Sequence, residues 1–349
     1  MYSKTKFFLG ANSNIDFISY FKQLQGQNSS MRLLILKGGP GSGKFSLMKR
    51  ILSYAEKKGH ELEIIPCASD PESLDAVIDY TADFAIMDGT APHTEDPSLP
   101  GARHHIIYTG DLWDTAKLSE NSRSIELLSA DISDCHKGAG AYIRAAAELL
   151  GENMRYCGKF INKEKCAAFA ADMIKKVHSK KKGMEKKRLL SAVSVGEIKV
   201  FSETPFYLAD KVFVLEDNWG AAADYILKAI CFAARLDGEA FISCPCSVMP
   251  EKLDHLIFPE SCIAIVTQNC FMKFDGGERI AAEEFYNPIP LQEEARMRLK
   301  AAKKLLPNAC DMIKQAKNLH DKLEAYYVDA MDFSGMTALF DNIISRFYR

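Results

Sequence analysis

Apolar positions in the first third of the chain fall in short unbroken runs, each closed by glycine, proline or an acid. Leu33-Leu34-Ile35-Leu36 is the clearest, and a continuous run of that length is the signature of a central parallel strand covered on both faces. Directly after it the pattern changes period: Leu47, Met48 and Ile51 recur at helical spacing. Leu62 to Ile65, ending at Pro66-Cys67, predicts a second strand, and Ala82 to Asp88 a third that ends in an acid. His104-His105 opens a further run, Ile106-Ile107-Tyr108, in which one of the two imidazoles must face solvent. Thr115 to Val177 and Leu291 to Phe347 carry helical spacing and few strand signals, so a helical region is expected after each sheet.

A shift of 179 residues lays Arg32–Ala91 on Lys211–Cys270 without a gap, with about fifteen identities among them. These include Leu36 with Leu215, Gly41 with Gly220, Pro66-Cys67 with Pro245-Cys246, and Leu74-Asp75 with Leu253-Asp254. The pattern predicts a doubled α/β chain of two three-layer, P-loop NTPase-like domains with mainly parallel sheets. The expected bounds are 1–178 and 189–349, joined by a basic linker at 179–188. In the helical regions the match is weaker, with Tyr156 opposite Tyr326 and Ala168 opposite Ala338.

Between the first strand and the first helix stands Gly38-Gly39-Pro40-Gly41-Ser42-Gly43-Lys44, which fits the Walker A pattern up to its lysine. Glycines let the backbone N–H groups fold around phosphate oxygens, the helix N-terminus adds a positive dipole end, and Lys44 adds a point charge. The pattern then breaks: Phe45 stands where Ser or Thr would ligate magnesium. Ser46 is one position on, about 100° round the helix, and does not take over that place. Asp88 is the candidate for the magnesium-holding, catalytic carboxylate. Gly89 follows it, so a hydrolytic base or phosphate sensor is sought at Asp70, His93 or Asp111. Asp70 and Asp75 also read as a cap and first-turn charge of a helix after Pro71. In the second copy Asp217-Asn218-Trp219-Gly220-Ala221-Ala222-Ala223-Asp224 puts Ala223 in place of Lys44 and acids at both ends, which argues against phosphate binding there.

Charge and composition narrow the partners. The formal net charge is -2, so no global field directs the chain to nucleic acid. The basic stretch from Lys175 to Arg188 reads as a solvated hinge. Ten cysteines at irregular spacings form neither a disulfide framework nor a zinc site and are expected as free thiols in a cytoplasmic protein. No run approaches membrane-spanning length. Without an Asn-Lys-x-Asp segment guanine specificity lacks support, so ATP is the default ligand, with Mg2+ in doubt because of Phe45. A protein partner or a second copy of the chain stays open, and so does a cation such as Lys252 or Arg279 reaching the first loop from the second copy.

Phe8-Leu9-Gly10, Ile35 to Gly41, Ser69-Asp70-Pro71, Asp88 to His93 and Gly110-Asp111-Leu112-Trp113-Asp114 together resemble a family of uncharacterised bacterial tandem P-loop ATPase-like proteins. The resemblance spans nearly the whole chain and implies ATP binding on a doubled P-loop fold. Phe45 and the segment Asp217–Asp224 depart from it. Three functions follow as expectations: a weak or regulated ATPase, a nucleotide-dependent scaffold or sensor, and a small-molecule phosphotransferase with Asp70 or Asp111 as base.

Overall fold

The computed structural model describes residues 4–26, 30–179 and 181–348. Lys180 of the expected linker lies outside them. The first half runs β1 (Lys4–Lys6), a hairpin of β2 (Gly10–Asn12) and β3 (Phe17–Ser19), β4 (Arg32–Lys37), α1 (Lys44–Lys58), β5 (Leu62–Pro66), β6 (Leu74–Asp79), β7 (Phe84–Asp88) and β8 (His104–Tyr108). Helices α2 (Thr115–Glu120), α3 (Ser122–Cys157) and α4 (Lys163–Val177) follow. The second half repeats the plan with β9 (Glu185–Lys187), β10 (Ser191–Val193), β11 (Ile198–Val200), α5 (Thr204–Leu208), β12 (Lys211–Glu216) and α6 (Ala221–Leu236). It continues with β13 (Phe241–Pro245), β14 (Leu253–Phe258), β15 (Ile263–Gln268), β16 (Glu278–Ala281), α7 (Gln292–Asp329) and α8 (Ser334–Phe347).

Both sheets have six strands in the same order, β1-β5-β6-β7-β4-β8 and β9-β13-β14-β15-β12-β16, and in each the third strand alone runs antiparallel to its neighbours. That strand is β6 in the first sheet, where a helix start was expected after Pro71. Its two acids conceal it in the sequence, but both are buried with partners: Asp79 with His60 at 2.7 Å and Asp75 with His93 at 3.2 Å. Paired in this way, the acids carry little of the desolvation cost that would otherwise keep them out of a sheet.

The expectation of three layers per domain is corrected. One face of each sheet carries helices, and the other faces its counterpart sheet across a single apolar core. Leu33, Ile35, Ala85 and Met87 of the first sheet share that core with Val212, Val214, Ala264 and Val266 of the second. Alternate residues of the same strands, Leu34, Leu36 and Ile86, turn outward to α1, and Phe213, Leu215 and Ile265 turn outward to α6. The two α/β halves thus form four layers, helix, sheet, sheet, helix, because β4, β7, β12 and β15 are apolar on both faces.

The halves are related by an approximate twofold axis that shows in the hydrogen bonds. Phe8 and Leu189, equivalent in the two hairpin regions, pair with each other: each N–H donates to the other's carbonyl, at 2.8 and 2.9 Å. The helical regions cross over. α3 and α7 pack antiparallel through small residues, Ala139, Ala146 and Ala147 against Ala302 and Ala309. α4 then lies on α6 of the second half, and α8 on α1 of the first. The exchange is locked reciprocally by backbone bonds: Asp114 N–H to Ala330 O (2.7 Å) and Asp332 N–H to Leu112 O (2.9 Å) on one side, Asn287 N–H to Phe160 O (2.7 Å) and Asn162 N–H to Phe285 O (2.8 Å) on the other.

The basic linker is corrected too. Glu185–Lys187 form β9, the edge strand of the second sheet. Arg188 is fully buried and bound to Glu63 of the first half. Lys181 and Lys182 are held by Glu260 and Glu239 at 2.6 and 3.0 Å. Much of this charge is paired inside the protein and is not a free cationic face. All ten cysteines are free thiols, as expected. Among the described residues no helix is long and apolar enough to cross a membrane.

Candidate functional site

β4 lies between β7 and β8, so its carboxyl end opens at the middle of the first sheet's parallel edge, where open α/β sheets bind ligands. The chain leaves it through the glycine loop and enters α1 at Lys44. Gly41 and Gly43 have φ of 64° and 79°, backbone that side-chain-bearing residues rarely adopt. Inside the loop the Ser42 hydroxyl donates to Gly39 O at 2.9 Å and lies 2.8 Å from the Thr109 hydroxyl, which fixes the loop against the turn after β8.

Lys44 is buried, and its ammonium donates to the carbonyls of Gly38 (2.6 Å) and Gly39 (2.8 Å). Asp88, at the end of β7, brings Oδ2 to 3.6 Å from the ammonium. Its Oδ1 accepts from the Thr90 N–H at 2.8 Å and the Thr90 hydroxyl at 2.5 Å. Burial lowers the Lys44 pKa, while Asp88 and Glu324 act in the opposite direction. The two groups named from sequence as the chemical pair are therefore brought together. Phe45 and Ser46 are exposed on the first turn of α1, and Phe45 meets the Lys49 ammonium 5.5 Å above its ring. Among the described residues neither side chain makes a hydrogen bond, and the Phe45 side chain offers no oxygen to a metal.

A roof over the loop was not foreseen. It comes from the far end of the chain: a Cβ placed on Gly41 would lie 2.9 Å from the Glu324 carbonyl, one on Gly43 3.0 Å from Met336, and one on Gly39 3.2 Å from the Tyr327 ring. Trp113 completes it, with its ring centroid 5.3 Å from that of Tyr327. α7 and α8 thus close on the first half's loop, as α3 closes on the second half's through Met154 beside Gly220. In the sequence the helical regions showed only a weak mutual match, Tyr156 with Tyr326 and Ala168 with Ala338, which does not say which loop each region covers.

The other candidates separate. His93 is buried between Phe17 and Phe21, its ring centroid 5.1 and 4.7 Å from theirs. Burial disfavours its charge, but the Asp75 carboxylate outweighs that and the pKa is raised. Asp88 also acts on it, so His93 lies near the Lys44–Asp88 pair. Asp70 sits in the turn before β6 and pairs with Lys317 of α7 at 3.5 Å. Asp111 is exposed and has no hydrogen bond or ion pair among the described residues. Among the described residues two groups of His and acids lie close enough to share a cation, His178, Asp237, Glu239 and His320, Asp321, Glu324; Asp88 belongs to neither.

The second loop differs for a definite reason. Asp217 stands in the place of Gly38, and its carboxylate accepts from the N–H groups of Trp219 (3.0 Å), Gly220 (2.9 Å) and Ala223 (3.0 Å) and lies 3.2 Å from the Tyr286 hydroxyl. The amides that would meet an anion already hold one that belongs to the chain. Thr267 occupies the place of Asp88. Lys252 and Arg279, considered as cations for the first loop, spend their charge in the second half. Lys252 binds Asp254, and Arg279 binds Glu216 (3.2 Å) and Gln268 (2.7 Å). No protein family, curated protein or solved structure matches the chain.

Proposed function

We propose that this chain is a P-loop protein of the bacterial tandem ATPase-like kind, which binds a nucleoside triphosphate, ATP by default, at Gly38–Lys44 and hydrolyses it slowly. The observation that carries this reading is the buried Lys44 ammonium 3.6 Å from the Asp88 carboxylate at the mouth of a strand, glycine loop and helix. In this reading Lys44 exchanges the carbonyls of Gly38 and Gly39 for phosphate oxygens and offsets the charge that develops on transfer. Asp88 holds Mg2+ through water, because Phe45 supplies no hydroxyl. His93 is engaged by Asp75, Asp70 by Lys317, and Gly89 follows Asp88, so these positions present no unpaired base to the loop, and turnover is slow. The phosphotransferase reading gains nothing, since Asp70 is tied to Lys317 and Asp111 is exposed.

Calorimetry with ATP, with and without Mg2+, paired with a phosphate-release assay, tests the proposal. Lys44→Ala is expected to weaken binding roughly ten- to hundredfold, the worth of a lost charge-assisted hydrogen bond, and to remove phosphate release. Asp88→Asn is expected to keep Mg2+-free ATP binding and to lower release at least about tenfold. Equal binding and equal release in wild type and Lys44→Ala would sink the reading.

A second reading, a nucleotide-dependent switch, draws on the roof. A triphosphate on the loop comes against Glu324, Tyr327 and Met336, so it bears directly on α7 and α8, and α7 packs along α3 toward the second half. Binding then biases the relation of the halves only as far as the roof differs between states. In a Trp219→Phe background Trp113 is the sole tryptophan, and ATP is expected to shift its emission. Saturated ATP binding with unchanged emission would exclude coupling through this roof.

A further inference from the structure

The second half has a cavity of about 60 Å³ where the first half has its glycine-loop site. At roughly 10–15 Å³ per water it holds four to six waters, or a short organic molecule. Met154 of α3, Leu306 of α7, Trp219 and Phe271 give it apolar walls, and Lys252 and Asp254 line it with charge. Both charged residues are buried, with 4% and 1% of their surface exposed. The Lys252 ammonium takes one oxygen of Asp254, while Oδ2 of Asp254 has no partner. A buried carboxylate oxygen without a donor is costly, and native structures rarely leave one unmet.

Charge decides what can meet it. Asp217 also lines the cavity, so two carboxylates stand against one ammonium. His255, next to Asp254, is neutral at pH 7, since burial pushes its pKa down to about 4 and its Nδ1 accepts the Thr267 N–H at 3.2 Å. An incoming anion finds the loop amides already taken by Asp217. An incoming ammonium finds the free oxygen of Asp254 and apolar walls for its tail.

We propose that the second half carries a small-molecule site of its own, selective for a primary ammonium group on a short apolar tail, with Asp254 as its anchor. The degenerate loop is then not a relic of the first site but part of a different one, in which Asp217 excludes phosphate and the cavity takes a cation. The proposal does not depend on nucleotide binding at Gly38–Lys44.

Ligand-observed NMR titration of the full chain with n-propylammonium, 1-propanol and propionate tests it, because the three share a shape and differ in charge. Propylammonium is expected to bind saturably, at least about tenfold tighter than propanol, since its hydrogen bond is charge-assisted. Propionate is expected to show no saturable binding. Met154→Trp, which fills the cavity, and the double variant Lys252→Met/Asp254→Leu, which removes both charges together and leaves neither unpaired, are each expected to abolish propylammonium binding. Lys44→Ala should leave it unchanged, which separates this site from the nucleotide reading. Propionate binding as well as propylammonium, binding of none of the three, or undiminished propylammonium binding in both cavity variants would overturn the proposal.

Discussion

Residues 1–178 expressed alone are expected not to form an independent, cooperatively folded monomer, although they contain a complete six-stranded sheet. The reason is the exchange of helices. On that sheet's outer face α8 supplies Met336, Ile343 and Phe347, all buried against α1 and the strands. Each is worth about 1.5–3 kcal/mol when fully buried, so the three together rival the usual net stability of about 5–15 kcal/mol. The inner face loses more, because Leu33, Ile35, Ala85 and Met87 have the second sheet as their partner in the core. α4 meanwhile keeps Cys166, Ala170 and Met173 apolar with no α6 to cover them. Co-expression with residues 179–349 is expected to restore a 1:1 complex, since the reciprocal bonds at Ala330, Asp332, Phe160 and Asn162 need no continuous chain. Analytical ultracentrifugation and near-UV circular dichroism distinguish the outcomes. A monomeric 1–178 fragment with native-like near-UV signal and a sharp urea transition would show that the shared core is not needed.

The parts of the fold that were legible in the sequence are those written in one short stretch. β4, the glycine loop and α1 follow one another within Arg32–Lys58, and their periods change where the structure changes. That Lys44 and Asp88 lie together was legible because a strand end beside a glycine loop constrains both. β6 was hidden because Asp75 and Asp79 interrupt its apolar run, and their partners, His93 and His60, lie in other elements. The roof was hidden for a different reason. Periodicity shows that α7 and α8 have an apolar stripe, not which sheet the stripe meets, and a doubled chain offers two nearly equivalent sheets. The third layer failed similarly: an apolar strand face is satisfied equally by helices or by a second sheet. Arg188 was read as solvated because its neighbours in sequence are lysines, while the acid that buries it, Glu63, stands 125 residues away.

That Arg188–Glu63 pair joins the halves at a buried point and supports the sharpest stability prediction. Arg188 is 1% and Glu63 3% exposed, and the Tyr80 hydroxyl also donates to Glu63, at 2.5 Å. Removing one partner leaves a buried charge unpaired, so Glu63→Ala and Arg188→Ala are each expected to lose about 3–5 kcal/mol in urea unfolding. The approximate twofold axis suggests the rescue: the positions equivalent to Arg188 and Glu63 are Phe7 and Ile242, both in the shared core. Glu63→Ile/Arg188→Phe is therefore expected to cost far less than the sum of the single changes, with Lys186, 3.3 Å from the Tyr80 hydroxyl, keeping that group partnered. Acid provides an independent check. Burial alone would raise the Glu63 pKa, but Arg188 outweighs it and holds the carboxyl below its ordinary value. A group depressed in this way contributes its stability above the unfolded pKa, about 4.3, and loses it as pH falls through the folded value. The wild type should thus lose stability below about pH 4 more steeply than the Ile/Phe variant. Single changes costing under about 1 kcal/mol, or a double change costing their sum, would mean the pair does not hold the halves together.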